Sequence, residues 1–196
     1  VLSILGRKGA SLLKKPKKEE KEVILSMMSK NINSPLTSSA GRLFDAAAAL
    51  LGVCEYASYE AEGPIRLEAM CRDKIEESYR FKMLKCNGRY IIDTQSVFLG
   101  MVKDLAKGID KGIIATKFHN SMAKVIVNTA KRLSNDVNIY DIALSGGVFQ
   151  NRFLKTKVIK ELSASKLNVF TNTKTPVNDL NISLGQYYVS SRTGRS

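Results

Sequence analysis

The sequence predicts an α/β fold in which helices cover a mixed sheet, and three observations lead to this prediction. Two strand-like runs flank Asn87-Gly88, a dipeptide that favours a tight hairpin turn because both residues tolerate positive φ. Apolar residues recur at steps of three and four across Lys111–Ser134, which indicates a long helix. Two strand-then-helix units, beginning at Val137 and Leu167, follow this helix. This order of elements is typical of α/β domains.

The composition is that of an ordinary globular chain. Its 196 residues, 44% hydrophobic and 25% charged, suit one domain or two small ones. No apolar run is long enough to cross a membrane, and the N-terminal pattern is not that of a secretion signal, so we expect a cytoplasmic protein. Because the first residue is Val1 rather than Met, we expect a fragment or a processed chain.

The three cysteines are odd in number and widely spaced, at Cys54, Cys71 and Cys86. This spacing argues against a disulfide framework and against a zinc site, and it favours reduced thiols.

The net charge of +13 at pH 7 raises the question of an anionic partner. The lysines are scattered, however, and the aromatic residues do not alternate with them as a base-stacking surface requires. We therefore interpret the charge as surface composition and do not expect a nucleic-acid partner. The alternative, a basic nucleic-acid-binding domain, predicts binding that weakens steeply with salt.

The first 30 residues have a charged helical pattern that a lysine-rich cluster around Pro16 interrupts. We predict that residues 1–30 are a peripheral helical arm or linker and that residues 31–196 form the main lobe.

An alanine-rich helix is predicted over Arg42–Leu51. Ser38 or Ser39 can cap its start, and Gly52 follows its last residue. Asp45 lies on a different face from the predicted apolar stripe, so it can meet solvent or a ligand. A solvated surface charge is the default interpretation of such a residue. The predicted stripe has four residues: Leu43, Ala46, Ala47 and Leu50.

Further helices and the hairpin fill the middle of the chain. The predicted bounds are a helix over Pro64–Ser78, strands over Tyr79–Lys85 and Arg89–Asp93, and a helix over Gln95–Lys107 that Thr94 caps. The long helix then places its apolar stripe at Ile114, Phe118, Met122, Val125, Thr129 and Leu133. The single histidine, His119, has no metal-ligating neighbour at helical spacing, so we predict a structural, hydrogen-bonded role for it.

The chain is organised around a glycine turn that follows an apolar, β-branched strand over Val137–Leu144. Ser145-Gly146-Gly147 ends this strand, and a helix is predicted over Phe149–Ser163. Backbone N–H groups of such a turn can face an anion, and Gln150 and Asn151 come where amide side chains can reach a ligand. A tight connection without a ligand is the alternative interpretation.

The last part of the chain is predicted to hold a short strand over Leu167–Phe170, a polar loop over Thr171–Val177 and a final helix to Ser191. Asn178 can cap that helix. Asp179 comes at the helix start, where a capping or dipole-complementing role is the simplest interpretation.

Three stretches resemble motifs of the hydrogenase-maturation carbamoyltransferases, the HypF family. Leu144–Arg152 reads LSGGVFQNR, Asn33–Ala46 contains SSAGRLFDA, and Asn178–Gln186 reads NDLNISLGQ. The resemblance covers residues 30–190, and it places the chain in the last part of a longer multidomain protein.

This resemblance implies a fold, an activity and partners. The fold would be one lobe of an actin-like, ribonuclease-H-like ATPase, related to the tRNA threonylcarbamoyladenosine transferases (TsaD). The whole enzyme would use ATP and carbamoyl phosphate to form a carbamoyl-adenylate. It would then carbamoylate the C-terminal cysteine of the partner protein HypE, and this group becomes cyanide for a nickel–iron hydrogenase. The partners would be the missing N-terminal lobe and domains, and HypE.

The resemblance also assigns roles to particular residues. Asp45 would bind the ribose of a nucleotide, and Ser145, Gly146 and Gly147 would form the turn that approaches it. Asn151 would contact the nucleotide through its amide. Asp179 would be a ligand of a divalent metal ion. The ligand would be ATP or a carbamoyl-adenylate held between two lobes, and no catalytic residue is identified.

Two departures from the family pattern bear on activity. The family has Asn-Asp-Gly-Gly where this chain has Asn178, Asp179, Leu180 and Asn181. The family's metal-binding histidines lie on the other lobe, so the metal site is expected to be incomplete and the isolated chain inactive. The alternative is a degenerate HypF-related module that binds a nucleotide or a partner without catalysis.

Overall fold

A computed structural model describes residues 1–193, which fall into two compact units, with the division in the chain between Val125 and Ile126. Within residues 1–193 there are nine α-helices and four strands. In chain order these are α1 (Leu2–Leu5), α2 (Arg7–Leu12), α3 (Lys18–Ser29), α4 (Ala40–Leu50), α5 (Glu62–Ala69), β1 (Lys82–Cys86), β2 (Arg89–Asp93), α6 (Gln95–Ala106), α7 (Lys111–Val137), β3 (Asp141–Leu144), α8 (Arg152–Ser163), β4 (Asn168–Thr171) and α9 (Ile182–Thr193).

The predicted α/β fold class is confirmed, but the four described strands form two separate pairs, one antiparallel and one parallel, and not one mixed sheet. In the first pair, β1 and β2 are antiparallel and are joined by Asn87 at φ 48° and Gly88 at φ 75°. Positive φ at both residues is what a type I′ hairpin requires, so the predicted turn is confirmed. In the second pair, β3 and β4 are parallel, with Leu144 opposite Thr171. The predicted division into an arm over residues 1–30 and a lobe stays a prediction.

The core of the first unit is an aromatic cluster on three helices. The rings of Phe44 on α4 and Phe98 on α6 both pack edge-on against Phe118 of α7, at centroid distances of 5.0 and 6.0 Å. All three side chains are almost completely buried. Such edge-to-face contacts stabilise a core beyond simple area burial, by roughly 0.5–1.5 kcal/mol per pair.

The predicted stripe on α7 is confirmed over its first half and is wrong at its end. Ile114, Phe118, Met122 and Val125 are buried, whereas Leu133 is 44% exposed. On α4 the buried face contains Phe44, Ala47, Ala48 and Leu50, so the predicted Leu43 and Ala46 lie at its margin. Gly52 ends α4 at φ 65°, as predicted.

Two predicted caps lack the expected side-chain bond. Ser39 is the N-cap residue of α4 and Thr94 that of α6, yet neither side chain bonds the helix. The Oδ1 atom of Asp93 accepts the Gln95 N–H instead, at 2.9 Å.

The predicted helix over Pro64–Ser78 is wrong beyond Ala69, where α5 ends. The following segment has no regular secondary structure, and α7 side chains bind its backbone. The Arg72 N–H donates to Thr116 Oγ1 at 2.7 Å, and the Tyr79 N–H donates to Ser121 Oγ at 2.7 Å. Asn120 Nδ2 donates to backbone carbonyl oxygens between these two contacts. These tertiary hydrogen bonds replace those of a helix.

The second unit contains β3, α8, β4 and α9. Leu154, Val158 and Leu162 form one buried face of α8, and Leu144 of β3 is buried as well. The predicted strand over Val137–Leu144 is too long, because α7 continues to Val137 and Asn138 follows it at φ 54°. In the described part of the chain, no helix is long and apolar enough to cross a membrane.

Candidate functional site

The glycine turn leaves the carboxyl end of β3 and is solvent-exposed. Gly146 has φ 100° and ψ 155°, a conformation that favours glycine because side-chain-bearing L-residues rarely adopt it. A Cβ atom on Gly147 would meet nothing within 4 Å. The turn therefore presents backbone that a ligand can approach closely.

The amide of Asn151 caps the helix after this turn. Gly147–Gln150 forms a single 3-10 turn, so α8 begins at Arg152 and the predicted start at Phe149 is wrong. Asn151 is 8% exposed, and its Oδ1 accepts the Leu154 N–H at 2.8 Å. The side-chain oxygen is thus engaged in fixing the start of α8 rather than projecting from inside the helix.

A second polar segment leaves the carboxyl end of β4. Asn178 Oδ1 accepts the Leu180 N–H at 3.3 Å and so caps a short 3-10 helix that precedes α9. Asn178 is therefore a capping residue, but it caps this 3-10 helix and not, as predicted, the last α-helix, because α9 begins only at Ile182. Asp179 is exposed in the first turn of this 3-10 helix, and Leu180 is 75% exposed beside it.

One backbone hydrogen bond joins the two segments. The Gly146 N–H donates to the Val177 carbonyl oxygen at 2.8 Å. The structure therefore brings Ser145, Gly146 and Gly147 together with the segment that carries Asp179. Both segments follow the carboxyl ends of parallel strands, where open α/β sheets bind their ligands. Arg152 and Lys155 add positive charge in the first turn of α8.

Asp45 belongs to the first unit. Its side chain is 43% exposed, and its Oδ2 lies 3.6 Å from Arg42 Nη1 one helical turn earlier. Such an exposed ion pair contributes little to stability, at most about 1 kcal/mol. Asp45 therefore keeps the exposure that the sequence predicted for a residue able to meet solvent or a ligand.

The described residues do not by themselves fit a divalent metal ion. In residues 1–193, no three His, Cys, Asp or Glu side chains are close enough together to hold one. Hard divalent cations need several oxygen ligands, and Asp179 supplies one carboxylate.

Sequence reasoning missed one buried acid near Asp45. Glu62 is 3% exposed and accepts hydrogen bonds from Ser58. These bonds hold the pKa of Glu62 below its usual range, with the Arg66 charge acting in the same direction. Its sequence position, just before Gly63-Pro64, gives no sign that this glutamate is buried.

The comparisons with known proteins agree with this geometry. The family described as "Carbamoyltransferase, Kae1-like Domain, second subdomain" matches residues 2–186. The structure is similar to the crystal structure of full-length HypF in the phosphate- and nucleotide-bound form, with a TM-score of 0.89 and 33% identity. That match covers 100% of this chain and 25% of the other.

Two relatives show the same similarity in sequence. Carbamoyltransferase HypF of Rhodobacter capsulatus is 36% identical over 171 residues, which are 87% of this chain and 22% of the relative. The carbamoyltransferase HypF homolog of Cupriavidus necator is 31% identical over 177 residues, 86% of this chain and 44% of the relative. The chain thus spans less than half the length of these relatives.

By its fold and by the turn at the ends of β3 and β4, this chain is classified as the second subdomain of a Kae1-like carbamoyltransferase domain. The chain belongs to the HypF carbamoyltransferase family. The resemblance seen in the three sequence motifs is therefore confirmed.

Proposed function

We propose that this chain is the nucleotide-binding second half of a carbamoyltransferase domain. With the preceding part of the domain, it would use ATP and carbamoyl phosphate to form a carbamoyl-adenylate. Water would release phosphate from carbamoyl phosphate, and the resulting carbamate oxygen would displace pyrophosphate from ATP. The carbamoyl group would then pass to the C-terminal cysteine of HypE during nickel–iron hydrogenase maturation. In that last step the cysteine sulfur replaces the adenylate oxygen at the carbamoyl carbon, and AMP leaves.

The observation that carries this proposal is the hydrogen bond between Gly146 N–H and Val177 O. It fixes an open glycine turn beside the Asp179 segment at the carboxyl ends of two parallel strands. Backbone N–H groups, the start of α8 and the cationic Arg152 and Lys155 suit an anionic ligand. A HypF crystal structure of the same fold is described as phosphate- and nucleotide-bound.

Each proposed contact follows from the chemistry of the side chain. The Asp45 carboxylate would accept hydrogen bonds from ribose hydroxyl groups. Ser145, Gly146 and Gly147 would pass close to the nucleotide phosphates, and Asn151 would contact the nucleotide while it caps α8. Asp179 would give one oxygen ligand to a divalent cation whose remaining ligands come from outside residues 1–193. A bound cation would neutralise phosphate charge.

The Asp179→Asn variant tests this proposal in protein reassembled with a first Kae1-like subdomain. Carbamoyl transfer to the HypE cysteine should fall at least about tenfold, because a neutral amide is a poor ligand for a hard cation. The melting temperature should hardly change, since Asn178 provides the cap and the dipole interaction lost at an exposed site is worth ~0.3–1 kcal/mol.

Asp141→Asn is the matched control. It removes the same charge from the same unit, but at the amino end of β3, where Asp141 Oδ1 accepts a hydrogen bond from Asn168 Nδ2. It should transfer carbamoyl at the wild-type rate. Wild-type transfer by Asp179→Asn would show that the proposed metal role is wrong for this chain. ATP binding without transfer by the wild-type protein would instead support the alternative of a binding module without catalysis.

A further inference from the structure

A buried glutamate closes the loop that precedes α5. Both Ser58 N–H and Ser58 Oγ donate to Glu62 Oε2, at 2.6 and 2.8 Å. The other carboxylate oxygen, Oε1, pairs with Arg66 Nη2 at 2.6 Å. Only 4% of the Glu62 side chain is exposed. A buried carboxylate is costly unless it is paired and hydrogen-bonded, and here both oxygens have partners.

The closed loop holds its backbone in an unfavourable conformation. Ala61, the residue before Glu62, has φ 62° and ψ 16°, in the left-handed region that non-glycine residues rarely adopt. Such a conformation persists only where the surrounding structure enforces it. Ser58 and Glu62 lie on either side of Ala61 in the chain, and the hydrogen bonds between them hold Ala61 in this conformation.

The loop ends at Gly63, which lies beside Asp45. Gly63 follows Glu62, and a Cβ atom placed on it would lie 3.2 Å from Ala48 Cβ and 3.5 Å from Asp45 Oδ1. The first turn of α5 therefore packs directly on α4 at the position of the Asp45 carboxylate. The positive end of the α5 dipole also favours a carboxylate at this place.

We propose that Glu62 is a positioning residue that, by locking the loop from Ser58 to Gly63 against α4, orients the Asp45 carboxylate for a ligand hydroxyl group. This inference rests on the proposed nucleotide-binding function of Asp45. Glu62 itself is buried and acts through the loop, whose Gly63 lies against the surface of α4 that carries Asp45. In the absence of the lock, Asp45 would have to be ordered when the ligand binds, which weakens binding.

A double-mutant cycle on ATP affinity tests this inference in the reassembled protein. Glu62→Gln should weaken ATP binding about tenfold, the loss typical of residues that orient a binding group. In the Asp45→Ala background the same change should have little further effect, because the group that Glu62 orients is gone. Glu60→Gln is the matched control, since it removes an exposed charge from the same loop.

A second variant and a local measurement separate positioning from folding. Ser58→Ala leaves the Glu62–Arg66 pair in place and should weaken ATP binding in the same direction. Amide exchange at Ser58 should become faster in Glu62→Gln, because its N–H loses the charged acceptor. The melting temperatures of both variants show whether the fold is intact.

The outcomes distinguish this inference from the proposed function. Absence of ATP binding by the wild-type protein, or wild-type affinity in Asp45→Ala, would overturn the role of Asp45 and the inference with it. If Asp45→Ala weakens binding while Glu62→Gln does not, only the inference is overturned. Equal losses from Glu62→Gln in both backgrounds would also overturn it, because they would show a general structural effect.

Discussion

At the scale of single residues, His119 is buried and lies beside the half-buried Cys71. His119 Nδ1 lies 2.8 Å from the Ala115 carbonyl oxygen and 3.3 Å from Cys71 Sγ. Burial lowers the pKa of His119 to about 4 and raises the pKa of the Cys71 thiol to about 12. Both groups are therefore neutral near pH 7. The predicted structural role of His119 is confirmed.

Lowering the pH from about 7 to about 5 should reduce the free energy of unfolding, with about 2 kcal/mol of the loss due to His119. The folded chain keeps this histidine neutral down to about pH 4, whereas an unfolded histidine is protonated below about pH 6.5. Between these values the unfolded chain binds the additional proton, so stability is full above the unfolded pKa and is lost as the pH falls. Urea unfolding at the two pH values measures this change.

The His119→Gln variant provides the comparison for this pH dependence. It has no imidazole to protonate, so its stability should fall less over the same pH range. Equal pH dependence in the two proteins would show that other groups cause the loss.

At the scale of elements, sequence patterns predict the features that depend on residues close together in the chain. The hairpin turn at Asn87-Gly88 follows from backbone torsions, and the stripe from Ile114 to Val125 follows from helical periodicity. The segment after Ala69 is helical in pattern but irregular in the structure. Its backbone bonds to side chains of α7 that lie more than 40 residues away in the chain, and a local pattern does not reveal such partners. The burial of Glu62 was missed for a similar reason, since it depends on the folded loop.

Asn120 on α7 should help to hold this irregular segment in place. Its Nδ2 donates to the carbonyl oxygens of Ile75 and Glu77, each at 2.8 Å. Asn120→Ala leaves both carbonyls without this donor and should cost about 1–3 kcal/mol in the free energy of unfolding. Denaturant unfolding measures the cost.

Asn128→Ala is the control, because Asn128 lies on the same helix and is exposed. Its cost should stay within about 0.5 kcal/mol, as for most surface substitutions. Equal stability of the two variants would mean that the segment is held mainly by Thr116 and Ser121.

At the scale of the whole molecule, the second unit exposes surface that is typical of a part of a larger core. No residue of α9 is buried, although the helix is rich in apolar side chains. The large exposed side chains of this region are Phe170, Leu180, Ile182, Leu184, Tyr187, Tyr188 and Val189. A helix that is apolar around its circumference is normally covered by other elements, and parallel strands normally have both faces covered. These exposures agree with a chain that spans 22–44% of the relatives described above.

The chain alone should bind ATP weakly. It carries the glycine turn and Asp45, but the proposed site needs contacts from the preceding part of the domain as well. Isothermal titration calorimetry should therefore give a Kd well above about 1 μM, equivalent to less than about 8 kcal/mol of binding free energy. Adding a first Kae1-like subdomain should strengthen binding. Micromolar or tighter affinity without that addition would show that this chain holds a complete site.

The two adjacent glycines of the glycine turn should differ in their tolerance of substitution. Gly146, at φ 100°, is required by the chain's own geometry, so its replacement impairs folding whether or not a ligand exists. A side chain on Gly147 has open space around it. The packing of the described residues therefore does not require glycine at position 147. Variants at position 146 therefore test folding, and variants at position 147 test ligand binding.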